Sequence, residues 1–114
     1  MAKIDLLELN QLGAMLYATA DADADYFDHT AGVALLMVNT TGAAIDVVIP
    51  VQQEAIRADG NTVILLSDIE VTIEANGLDA VAIPPAYTGL RGRVDVTYPN
   101  GDGNGLVIVP IYAP

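Results

Sequence analysis

The residues able to do chemistry are few, and most fall in two clusters. Asp21, Asp23 and Asp25, followed by Asp28 and His29, place alternate carboxylates along residues 20–30. Alternate carboxylates suit calcium, a hard cation that takes oxygen ligands. An EF-hand loop also needs glycine at its sixth position and glutamate at its twelfth. Counted from Asp21, those positions hold Tyr26 and Gly32, so the stretch reads as a solvated acidic loop. Asn100, Asp102, Asn104 and Gly105 match the first half of a calcium-loop spacing, but the twelfth position is Ile111, inside an apolar run. Ordinary turn chemistry yields the same letters. No metal and no other cofactor is expected.

His29 is the only histidine and Ser67 the only serine. A hydrolytic triad would need both, with a carboxylate, and Ser67 has no G-x-S-x-G setting. No pair of carboxylates is singled out for acid–base work. There is no cysteine, so disulfides and thiolate chemistry are excluded. The chain reads as a non-enzyme.

The bulk properties point toward protein partners. A length of 114 residues fits one domain. The chain is 53% hydrophobic and only 17% charged, so part of its apolar surface is expected to lie against other chains, unless many small aliphatics simply fill a core. Fifteen acids against Lys3, Arg57, Arg91 and Arg93 give a net charge of −11, which repels nucleic acid and anionic membranes alike. Asp5 and Glu8 interrupt any apolar leader after Lys3. No apolar run approaches the ~18 residues of a membrane-spanning helix.

The positioning elements are expected to be short strands. Residues 1–12 read as an N-terminal arm, either extended or a short helix, and 13–114 as one domain. Strands are predicted over 14–19, 32–39, 44–49, 62–66, 69–73, 78–83, 91–98 and 106–112, with turn signals every 8–12 residues. Ile69, Val71 and Ile73 alternate with polar residues, Asn76-Gly77 supplies a turn, and Val81 and Ile83 return on one face. That stretch predicts a β-hairpin ended by Pro84-Pro85. Residues 32–39 are apolar on both faces and read as a central strand, while Pro110 marks an edge strand or a bulge. Residues 51–59 have some helical propensity. The whole predicts an all-β fold, a single-domain antiparallel β-sandwich of about eight short strands with an N-terminal arm.

With the strands laid out, the ordering of motifs resembles the head decoration, or cement, proteins of tailed bacteriophages. The motifs are Leu16-Tyr17-Ala18, Asp25-Tyr26-Phe27, Asn39–Ala44 (NTTGAA), Val71–Gly77, Pro84–Tyr87 (PPAY) and Val94–Tyr98, followed by a closing strand. The resemblance implies a non-enzymatic structural protein on the outer surface of a virion, made in the bacterial cytoplasm. It implies a homo-oligomer, with a trimer favoured, that clamps neighbouring major capsid protein subunits. Partner contacts are expected from Ile4, Leu6, Leu7 and Leu9 of the arm, from Tyr87, and from Arg91 and Arg93. Phe27 is expected in the core. The competing readings are another phage component (tail, neck or fibre) and a carbohydrate- or surface-binding β-sandwich module, which would have no tryptophan to offer a sugar.

Overall fold

A computed structural model describes residues 2–8, 18–52, 55–59 and 62–112, and the chain is all-β. The strands are β1 (Ala2–Lys3), β2 (Leu7–Glu8), β3 (Ala18–Thr19), β4 (Ala24–Asp28), β5 (Ala34–Asn39) and β6 (Ile45–Ile49). They continue with β7 (Ala55–Asp59), β8 (Thr62–Leu65), β9 (Ile69–Ile73), β10 (Leu78–Ala82), β11 (Arg93–Thr97) and β12 (Leu106–Tyr112). The longer strands form two antiparallel sheets, ordered β4-β11-β6-β9 and β10-β5-β12. Among the described residues, strands β7 and β8 pair only with each other.

Period-two alternation makes the inner face of each sheet apolar except for one buried polar residue, Asp25 in the first and Asn39 in the second. Phe27, Val94, Val96, Ile45, Val47, Ile49 and Ile73 project from the first sheet, and Leu35, Met37, Leu106 and Ile108 from the second. All are essentially inaccessible and join one cluster, so the core lies between the two sheets. Phe27 sits in it as expected.

Three expectations change. Residues 24–28 form a strand where a loop was expected, pairing with β11 from Asp28↔Arg93 to Ala24↔Thr97. Its inward positions are Asp25 and Phe27, and the buried carboxylate hides the apolar period. Residues 55–59 are a strand with a register shift between Arg57 and Asp59, because pairing with Thr62–Leu65 outweighs a weak helical preference. The predicted hairpin is not a hairpin. β9 pairs with β6 in one sheet and β10 with β5 in the other, so the turn at Asn76, with φ of 58°, carries the chain across the core. Alternation fixes which side chains face inward, but not which neighbour a strand takes.

The N-terminal segment is part of the fold. β1 adds in parallel to β4, with Lys3↔Tyr26, and β2 adds in parallel to β12, with Ile111↔Leu7. Between them Ile4 is 5% exposed in the common core, and its N–H donates to the Tyr26 carbonyl at 2.8 Å. One short segment thus covers the edges of both sheets. β3 also pairs with β12, at Val107↔Thr19 and Ile108↔Ala18. Pro110 therefore falls between β3 and β2, where a missing N–H breaks no ladder to β5.

Candidate functional site

The polar groups that looked chemical are mostly holding the fold. Asp25 is fully buried, and its Oδ2 accepts from the Tyr98 hydroxyl at 2.8 Å and from the Asp21 N–H at 3.0 Å. Burial first, then the hydrogen bond and negative charge of Asp25, push the Tyr98 phenol far above its usual range. Tyr98 is thus a locked donor. Asp21 and Asp23 remain exposed, and among the described residues no three His, Asp or Glu side chains converge as a metal site would need. The 99–105 connection is a turn packed against the same corner. The Gly103 N–H donates to the Ala22 carbonyl at 3.0 Å, and Gly103 is buried against the Tyr98 ring.

Asn39 is the hub of the NTTGAA stretch. Its amide donates to the Ala43 carbonyl at 2.7 Å and the Ile73 carbonyl at 3.0 Å. Its Oδ1 accepts from the Thr41 N–H at 2.9 Å and the Thr41 hydroxyl at 2.7 Å. Sequence reasoning marked this stretch as a turn and missed the asparagine as a buried tie between sheets. The signal was a lone polar residue at an inward position of an apolar strand.

His29 Nε2 hydrogen-bonds the Ile83 carbonyl at 3.0 Å, and the Ser67 carbonyl accepts from the Tyr87 hydroxyl at 2.9 Å. Among the described residues no hydrogen bond joins the histidine to the serine.

The expected partner-contact residues divide. Ile4 is in the chain's own core and Leu6 packs against it, so in this fold they contact strands of the same chain. Leu7 pairs with Ile111, and Leu9 lies outside the described residues. Tyr87 is buried, with its hydroxyl satisfied, so it is a core residue and not an exposed anchor. Arg91 and Arg93 do not share a strand face. Arg91 is exposed in a tight 3-10 turn at φ of 63°, whereas Arg93 leads β11. The Arg93 guanidinium pairs with Asp95 at 3.2 Å and lies over the Tyr26 ring, 3.8 Å from its centroid. Both arginines border an open depression of about 400 Å³ with Gln52, Gly89 and Asp95.

The outer faces of the two sheets differ sharply. On the four-stranded sheet, Tyr26, Asp28, Arg93, Asp95, Thr97, Asp46, Glu70 and Thr72 make a polar, charged outer face. On β10-β5-β12 the outward positions are all aliphatic, although β3 places Thr19 next in register to Val107. Register sets them in three rows: Leu78–Val38–Val107, then Ala80–Leu36–Val109, then Ala82–Ala34–Ile111. Leu78 is 66% exposed and Ala80 and Ala82 are exposed, whereas Ala34, Leu36, Val38, Val107 and Ile111 are half-buried and Val109 is buried, so the open part of this face is its β10 side. A water-facing antiparallel sheet normally alternates apolar-in with polar-out. An aliphatic face of this kind is suited to being covered, and it has no groups for bond chemistry.

No family model, curated protein or solved structure matches the chain.

Proposed function

We propose that the chain is a non-enzymatic virion structural protein, a β-sandwich of about eight principal strands that decorates and stabilises a tailed-phage capsid across major capsid protein subunits. The observation that carries the reading is the exposed aliphatic strip of Leu78, Ala80 and Ala82 along β10, beside the half-buried Leu36 and Val38, which supports contact with another protein. Two further features support it. The lone histidine hydrogen-bonds a backbone carbonyl, and the lone serine supplies one to Tyr87, so their engagement is structural. The motif order set out above resembles that of decoration proteins. The mechanism is mass action, since a protein that binds only the assembled lattice stabilises that lattice.

The test is to add purified protein to expanded capsids lacking it, then image the particles and heat them. The expected outcome is ordered density on the outer surface and a higher temperature of DNA release. Bare particles at saturating protein would end the proposal.

A further inference from the structure

We infer that the open edge of β10 takes an extended segment of another protein as an added strand, one that sets a lysine or arginine beside Glu74 and Asp79. The inference rests on the proposed reading of β10 as a protein-contact strip, and names what that strip holds.

The backbone requires a strand. β10 ends its sheet, and among the described residues nothing pairs with its far side. Elsewhere the chain covers its own flanks, with β1 on β4 and with β2 and β3 on β12. The Gly77 carbonyl accepts from the Asn39 N–H at 2.9 Å, and the Ile83 N–H donates to the Val33 carbonyl at 3.1 Å, so the odd-numbered residues hold β5. In an antiparallel ladder the residues between them turn their N–H and C=O groups the other way. Those residues are Leu78, Ala80 and Ala82, the exposed aliphatic ones. Asp79 Oδ1 accepts from the Ala80 N–H at 2.8 Å and guards that one donor. Among the described residues, the N–H groups of Leu78 and Ala82 and the carbonyls of all three stay open to strand addition. β9 ends the other sheet, but its exposed outward residues are Glu70 and Thr72, and an edge flanked by charge stays single.

Charge selects the strand. An open cleft of about 210 Å³ lies between the end of β9 and the start of β10, lined by Thr72, Glu74, Gly77 and Asp79. Side chains alternate along an added strand, so every second one points toward this cleft and the others lie beside Leu78, Ala80 and Ala82. Glu74 is exposed and Asp79 half-buried, and no cation among the described residues pairs with either. A lysine or arginine on the cleft side thus meets two carboxylates, while aliphatic residues suit the other side. A second copy would bring its own Glu74 and Asp79 to the same edge, and two chains of charge −11 repel.

The test titrates the full, isotope-labelled chain with the synthetic peptide acetyl-TVKVTV-amide and reads amide NMR. Addition of one short strand is weak, so the titration runs to about 5 mM. The expected result is shifts confined to β10 and residues 72–77, with hydrogen exchange at Leu78 and Ala82 slowed at least about threefold. Binding should fall at higher salt, and should be at least about tenfold weaker when glutamate replaces the peptide's lysine. Ala82→Pro deletes an edge donor that β5 does not use, and is expected to abolish binding with unchanged circular dichroism. Methylating alternate peptide nitrogens, first in one frame and then in the other, tests the same bonds without altering the chain, and one frame must abolish binding. No shift at β10, equal binding of the lysine and glutamate peptides, binding by both methylated frames, or pairing of the chain with itself at β10 overturns the inference. Capsid binding measured in parallel separates the two proposals. Decorated capsids without peptide binding defeat strand addition alone, and peptide binding beside bare capsids defeats the capsid reading alone.

Discussion

Tyr98 and Asp25 show how one buried polar pair ties distant parts of the chain together. The pair links the fourth strand to the end of the eleventh, and Tyr98 is 2% exposed. Tyr98→Phe removes the donor and leaves a buried carboxylate short of a partner, so we expect a loss of about 1–3 kcal/mol in urea unfolding. The raised phenol also has a pH signature. The folded state keeps this proton while the unfolded tyrosine ionises near pH 10, so its stabilisation is complete below that pH and declines above it. Alkaline unfolding should therefore steepen above about pH 10 in the native chain, and lose that component in Tyr98→Phe. At the same corner, a Cβ on Gly103 would run into the Tyr98 ring. Gly103→Ala is expected to cost about 1–3 kcal/mol by overpacking, measured by thermal melting. These roles were not legible beforehand. A buried aspartate and a surface aspartate are the same letter, and the alternation in ADYFD reads as loop until Tyr98 is seen over it.

At the scale of elements, the N-terminal arm does more than was expected of it. Its apolar residues were expected to contact a partner, yet the arm covers a flank of each sheet and places Ile4 in the core. Removing residues 1–12 should lower the melting temperature markedly, and Ile4→Ala alone should cost about 2–4 kcal/mol. An unchanged melting curve after the deletion would contradict the pairing of β1 and β2. Among the described residues the β7–β8 hairpin joins neither sheet; the Val51 N–H closes its base by donating to Asp68 Oδ1 at 2.9 Å, and the Gln52 N–H ties its entry to the Ala86 carbonyl at 3.0 Å. Replacing residues 53–65 with a short Gly/Ser loop should leave the melting temperature within a few degrees, because the two ends already meet. Strand positions were largely readable because apolar period two is a local signal: Val94, Val96 and Tyr98 face inward as their spacing required. Pairing was not readable, since β9 and β10 carry hairpin letters and belong to different sheets. The two-residue strands β1, β2 and β3 are too short for any periodicity to mark them.

Across the whole molecule, charge is unevenly spread. Lys3 and Arg93 lie at one end of the β4–β11 pair, where Lys3 meets Asp28 at 3.1 Å and Arg93 meets Asp95. Asp21 and Asp23 lie about Tyr98 at the other end, with Asp46 reached through Asn100 at 2.9 Å. An excess of negative charge weakens the compact state by self-repulsion. Raising salt from about 10 to 150 mM should therefore raise the melting temperature, while a fall would show that the few ion pairs outweigh the surplus acids.

The position of β12 in its sheet has a consequence for biosynthesis. It is the middle strand, flanked by β5 on one side and by β3 and β2 on the other, yet it is translated after all of them. A ribosome that has made everything through residue 105 has β5 and β10 able to pair, but nothing to join them to β2 and β3. The second layer is completed only when β12 emerges, and its ladder to β5 then closes over a long loop, which is slow. Until that moment the edge of β5 that β12 will cover stays open, and the surplus negative charge opposes its pairing with other unfinished chains.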